Sequence, residues 1–438
     1  MKTCDTLLHA RYALTQNAGR DLIPDAAIAV RAGTIAALGT REEMGDWQAE
    51  RHIALPHALL SPGLVNAHTH VAMTFLRGLA DDLPLMDWLN RFIFPVEAHL
   101  SAEIVELSSL LGCAEMMRTG TTAFVDMYIF ENAVCRAVDQ SGLRVLAGEV
   151  AFTFPSASCR NFEENVNTVR ALHETWKGHP RIRACVMPHA VYTTTRELLT
   201  QCGELARELD LPLHIHLAET TGETRQSMEL YGKRPVAVCE ETGLLGKKTS
   251  LAHAVDITGE EIALLAKTGT RVAHNPKSNM KLASGVCPVP AMLEAGMLPG
   301  LGTDGAASNN TLSMFGEMTA CALMHKLTTM NPASLPAQTV YDMATLGSAE
   351  AFFDRSIGSL EVGKKADIIA VDCSSPNMHP LHSLPSQLVY AASGHDVCMT
   401  MVEGRVVYQD GQYLSFDYPS LCREMEKVAI WARKHVSR

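Results

Sequence analysis

The stretch Pro62-Gly63-Leu64-Val65-Asn66-Ala67-His68-Thr69-His70 decides the reading of this chain. A short apolar run ends in two imidazoles spaced by one residue. Side chains alternate across a strand, so His68 and His70 point to the same side. In a barrel strand that side is the lumen, and the C-terminal end of the strand carries function. Two neighbouring imidazoles with free lone pairs suit a metal ion. Taken alone, the pair also fits two hydrogen-bonded core histidines.

Working outward, short apolar runs recur near 59–66, 121–127, 144–152, 181–188, 212–218, 249–254, 270–274 and 298–303. Between them, segments such as 102–118, 196–209, 226–242 and 258–268 carry the 3.6-residue apolar period of amphipathic helices. Strands alternating with helices predict a parallel sheet, and eight strands close a (β/α)8 TIM-type barrel, placed at 58–357. Both ends differ. Residues 1–57 and 358–438 read as hairpins and turns, with a last helix at 418–437. Neither end is long enough for a comfortable β-domain, so the two are expected to pair into one small composite β-domain.

Other strand ends enlarge the histidine pair. His214-Ile215-His216 closes the fifth strand, Leu251-Ala252-His253 the sixth and Gly302-Thr303-Asp304 the eighth. Together with His68 and His70 they predict a His/Asp set around one divalent ion, with a position left for water. His214 reads as a support or core residue. His274, in Ala273-His274-Asn275-Pro276, reads as loop shaping rather than ligation.

Composition narrows the function. The 438 residues are 47% hydrophobic and 19% charged, enough for a large core. Net charge is −11 with no basic stripe, which argues against nucleic-acid or membrane-surface partners. No run of about 18 apolar residues predicts a membrane span. Twelve cysteines, scattered singly from Cys4 to Cys422, fit reduced thiols and a cytoplasmic setting.

The chain resembles the amidohydrolase superfamily, and within it the family of 5'-methylthioadenosine/S-adenosylhomocysteine deaminases and related chlorohydrolase-like enzymes. The resemblance runs over essentially the whole length. Its stretches are 63–70, Arg77-Gly78-Leu79-Ala80-Asp81-Asp82-Leu83-Pro84-Leu85, His216-Leu217-Ala218-Glu219-Thr220, 274–285 (His274-Asn275-Pro276-Lys277-Ser278-Asn279 and onward) and Gly302-Thr303-Asp304-Gly305-Ala306-Ala307-Ser308-Asn309-Asn310. It implies that His68, His70, His216 and Asp304 bind one metal, usually zinc. Two-metal relatives carry a Lys at the end of strand four; Val186-Met187-Pro188-His189-Ala190 has none, which implies a single ion. It also implies that the terminal segments form a composite β-sandwich, and that the protein is a homo-oligomer.

The implied reaction is hydrolytic deamination at C6 of a purine nucleoside, the nucleophile being a metal-activated hydroxide. Glu219 would pass a proton from the water to N1, His253 would steer the attack, and Asp304 would be both ligand and proton acceptor. Glu97 suits the two ribose hydroxyls, since a carboxylate accepts two hydrogen bonds from a diol. The resemblance further places Trp88 and His189 against the substrate and Ser308 against the purine. Arg160 is a candidate partner for a homocysteine carboxylate, although Glu149 stands near where some relatives carry a second Arg. The competing reading within the same fold is an aminohydrolase or chlorohydrolase for guanine, a triazine or another N-heterocycle.

Overall fold

The computed structural model describes residues 2–83 and 85–436, with a mixed α/β fold. Pro84, inside the stretch 77–85, and residue 437 lie outside the described residues. Four strands open the chain: β1 (Lys2–Leu14), β2 (Leu22–Arg31), β3 (Thr34–Thr40) and β4 (Trp47–Pro62). Nine short parallel strands follow: β5 (Leu64–Thr69), β6 (Thr121–Tyr128), β7 (Arg144–Ala151), β8 (Ile182–Ala184), β9 (Met187–Pro188), β10 (Leu213–Leu217), β11 (Thr249–His253), β12 (Arg271–His274) and β13 (Gly300–Leu301). The chain then returns through β14 (Ile368–Asp372), β15 (Val397–Val402), β16 (Arg405–Gln409) and β17 (Gln412–Tyr413).

The nine middle strands form two parallel sheets, β5-β6-β7-β8 with β9 on β7, and β10-β11-β12-β13. Isolated parallel bridges, Val186 to Leu213 and Ala190 to His216, link one sheet to the other. At the opposite edges the Asp304 amide donates to the His68 carbonyl at 2.9 Å. All residues of β5, β6, β7, β10 and β11 are buried, as expected when helices cover a parallel sheet. Caps fix the helices between them. The Ser101 side chain accepts from the Ile104 amide before Ala102–Arg118. Thr258 and Glu261 form a capping box at Gly259–Thr268.

Eight strands from both ends share one sheet, in the order β17-β16-β15-β14-β4-β1-β2-β3. Leu8, Ile28, Val30, Leu60, Ile368 and Met401, from both halves of that sheet, pack into one apolar cluster. The sheet therefore curves around a core of its own.

Two sequence expectations shift. The run 59–66 spans two strands, because β4 extends to Pro62 and β5 begins after Gly63. A Cβ at Gly63 would come within 2.1 Å of Thr122, so the chain passes there only without a side chain. The helix expected over 226–242 is two helices, Thr221–Tyr231 and Pro235–Glu241. Gly232 ends the first in a left-handed conformation and Pro235 starts the second. Among the described residues no helix is long and apolar enough to cross a membrane.

Candidate metal centre and substrate cavity

The C-terminal ends of the parallel strands bring the predicted residues together. His70 Nε2 lies 3.2 Å from His216 Nε2 and 3.2 Å from Asp304 Oδ1. His68 Nε2 lies 3.4 Å from the same carboxylate oxygen. Ligand atoms of His68, His216, His253 and Asp304 all sit within 4.8 Å of one another, and all four residues are buried. His253 stands with the cluster, as its place at the end of the sixth strand implied.

Hydrogen bonds to the other ring nitrogens assign the tautomers. His70 Nδ1 contacts the Met127 carbonyl, and His216 Nδ1 the His189 carbonyl at 2.9 Å. A carbonyl only accepts, so each Nδ1 carries the proton and each Nε2 presents a lone pair. His68 Nδ1 bonds His214 Nε2 at 2.8 Å, and His214 Nδ1 bonds Ser250 Oγ at 2.5 Å. That chain orients the His68 ring, whose Nε2 turns inward toward Asp304 Oδ1. His253 Nδ1 bonds Asn279 Oδ1 at 2.9 Å. Four imidazole nitrogens and a carboxylate converge in a buried space, a donor set that fits a divalent metal.

Charge follows the same geometry. Burial lowers His68 to about 4, against the pull of Asp304. Burial also acts to lower His70, but its bond to Asp304, the carboxylate charge and the Met127 carbonyl hold it at about 9. Burial works to raise Asp304, yet its bonds to His68 and His70 keep it well below the ordinary carboxylate range. Asp304 Oδ2 accepts from Ser278 at 2.6 Å and Ser308 at 2.9 Å. Gly305 N–H donates to Oδ1.

A cavity opens beside the cluster. His70, His216, His253 and Asp304 share its wall with Glu219, Glu97, Trp88, His189, Phe152 and Tyr192. Glu219 Oε2 lies 3.9 Å from His253 Nε2, and burial raises the Glu219 carboxyl. Glu223 receives the Ala218 and Glu219 amides at 3.0 and 2.7 Å, fixing the turn that presents Glu219. Glu97 is raised by burial and accepts from Tyr128 Oη at 2.7 Å.

Two expected substrate residues stand elsewhere. The Arg160 side chain is 86% exposed, pairs with Glu164 and does not line the cavity. A Glu four residues later, in the first turn of helix Phe162–Trp176, draws the guanidinium toward solvent. Ser308 is buried behind Asp304 and bonds its carboxylate rather than lining the cavity. Tyr128, Ser278 and Asn279 hold site residues without a motif of their own in the sequence. The last two lie inside the quoted stretch 274–285, whose polar residues were the available signal.

A ring of oriented imidazoles and a carboxylate at strand ends, with a second carboxylate across a cavity, is the apparatus of a metal-dependent hydrolase. The chain belongs to the amidohydrolase family, which it matches over residues 59–407. It is 56% identical over 438 residues, the full length of both chains, to the 5-methylthioadenosine/S-adenosylhomocysteine deaminase of Nitratidesulfovibrio vulgaris (strain Miyazaki F). It is 41% identical to the 5'-deoxyadenosine deaminase of Methanosarcina mazei, covering 97% of this chain and 98% of that one. A zinc-bound crystal structure of an adenosine deaminase from Xanthomonas campestris superposes with a TM-score of 0.96, at 38% identity and 99% coverage of both chains.

Proposed function

We propose that this chain is a zinc-dependent hydrolytic deaminase that converts 5'-methylthioadenosine, and with it adenosine and S-adenosylhomocysteine, to the inosine analogue and ammonia. The observation that carries this reading is that Glu219 and Glu97 share one cavity with the metal cluster. The names of the 56% and 41% identical relatives support it.

His68, His70, His216 and Asp304 would hold the ion, with His253 beside them. When bound, a divalent cation supplies a water acidified to a pKa of about 7. Glu219 would take a proton from the attacking water and deliver it to N1, which makes C6 electrophilic. His253, fixed by Asn279, orients the attacking oxygen. Asp304 holds the second proton for the departing amine, so the exchange balances: water replaces the amino group, and ammonia leaves. Glu97, held by Tyr128, takes the ribose diol, while Trp88 and His189 flank the nucleoside.

The cavity wall is apolar around Leu89, Ile93, Phe94 and Phe152, and among its described residues none is Lys or Arg. A homocysteine carboxylate would enter without a partner, which is costly in an apolar site. We therefore place 5'-methylthioadenosine ahead of S-adenosylhomocysteine. Steady-state kcat/KM for these two and adenosine, with and without chelator, tests the reading. Loss of adenine absorbance abolished by chelator supports it. Turnover that survives full metal removal contradicts it.

The bridges and the Asp304–His68 bond support the view that residues 58–357 close into one (β/α)8 barrel. The shared eight-stranded sheet and its enclosed core support 1–57 and 358–438 as a composite β-sandwich domain. A homo-oligomer in the cytoplasm completes the proposal. Twelve free cysteines fit that compartment.

A further inference from the structure

Donors converge at a second place, outside the cavity. His274 ends β12, and Cys321 and His325 stand four residues apart on helix Met314–Thr328, so they share one face. One donor atom from each lies within 4.8 Å of the other two. His274 and Cys321 are fully buried and His325 is 1% exposed. Neither ring nitrogen of His274 has a hydrogen-bond partner, and His325 Nε2 has none. The two rings stand 5.4 Å apart. A buried polar atom without a partner is unfavourable, so three at one spot call for an occupant. Two imidazoles and a thiol form a donor set for a borderline-soft divalent ion.

We propose that His274, Cys321 and His325 bind a second transition-metal ion of the zinc type, as a structural staple between β12 and helix Met314–Thr328. On binding, the Cys321 S–H bond breaks, a sulfur–metal bond forms and the proton leaves to solvent; no electrons change hands. The staple fixes what lies behind the cavity. The same helix carries Glu317, which accepts from the Lys277 amide at 3.1 Å and from Asn309 at 2.7 Å. β12 leads into Ser278 and Asn279, which hold Asp304 and His253. The three residues are positioning residues and touch no substrate.

Cobalt separates the two sites. The cavity cluster offers only nitrogen and oxygen donors, so thiolate-to-cobalt charge-transfer absorption reports the second site alone. The full-length protein is produced in cobalt-supplemented medium, so that the ion is present as the chain folds. The expected result is a charge-transfer band and two ions per chain by elemental analysis. Cys321→Ser abolishes the band and leaves one ion. His325→Gln weakens the band and serves where the serine variant fails to fold. Cys202→Ser, which removes a buried thiol from helix Arg196–Glu208, changes neither reading. One ion per chain without a charge-transfer band in the wild type overturns the proposal, as does a band that survives Cys321→Ser.

Discussion

Three members of the cavity cluster are held by residues outside the cavity wall: His68 by His214, His253 by Asn279 and Asp304 by Ser278. His214 is the clearest case, since it joins Ser250 to His68 through two ring nitrogens. Removing such a partner costs about 10–100-fold in metal affinity. His214→Ala is expected to weaken metal binding by that factor in a chelator competition while leaving the fold intact by circular dichroism. Glu219 touches no donor atom of the cluster within hydrogen-bond distance. Glu219→Gln should therefore keep its metal and lose about 10²–10⁴-fold in kcat; equal turnover in the two proteins would remove Glu219 from the chemistry. His253, Asp304 and Ala218 adopt left-handed backbone, with φ of 73°, 60° and 51°. Such conformations cost of order 1–3 kcal/mol each and collect at functional sites. The histidines and Asp304 were legible in sequence because they end apolar strands. Asn279 and Ser278 were not, because 26 residues separate each from the side chain it holds. Arg160 was misplaced because the local pull of Glu164 decides where its side chain goes.

At the level of elements, close strand approach sets the site. A Cβ on Gly302 would lie 2.4 Å from Asn275 Oδ1 and 2.8 Å from the His68 amide nitrogen. Gly302→Ala forces the strand carrying Asp304 away from β5. We expect about 1–3 kcal/mol of destabilisation and reduced metal content, read by denaturant unfolding and elemental analysis. Past Ser348–Ala351, burial works to raise Asp354, but Ser356 and Lys365 bind its carboxylate and hold it down at about 2. The folded value lies below the unfolded one of about 3.9, so this stabilisation is present above pH 4 and is lost as pH falls through 2. Asp354→Asn should be less stable than wild type at pH 6 by on the order of 2 kcal/mol. The gap should close as pH drops from 4 toward 2; a constant gap would assign the effect to packing. Strand identities were readable from apolar runs, whereas exact ends were not. Gly63 and Gly232 interrupt continuous patterns for reasons of contact and backbone that hydrophobicity does not record.

On the scale of the whole molecule, one buried ion pair ties the parallel strands to the terminal sheet. Arg144 opens β7, and its guanidinium grips Asp367 at 2.6 and 3.0 Å, both side chains 1% exposed. Asp367 also accepts the Glu403 amide, joining the segment before β14 to the turn after β15. Breaking a buried pair by removing one partner costs about 3–5 kcal/mol. Asp367→Ala should lower unfolding stability by that amount, and a joint replacement of both residues by apolar ones should recover most of it. The pairing of the two chain ends could be inferred from sequence because neither could enclose a core alone. The ion pair could not, since 223 residues separate its partners.

Deamination at this site requires His68, His70, His216 and Asp304 to share one cation. Anomalous diffraction at the zinc edge from crystals of the purified protein measures this directly. The expected result is a peak about 2.0–2.2 Å from the three Nε2 atoms and the Asp304 carboxylate. Ordered side chains at those positions with no peak among them, in protein that still deaminates, would contradict it.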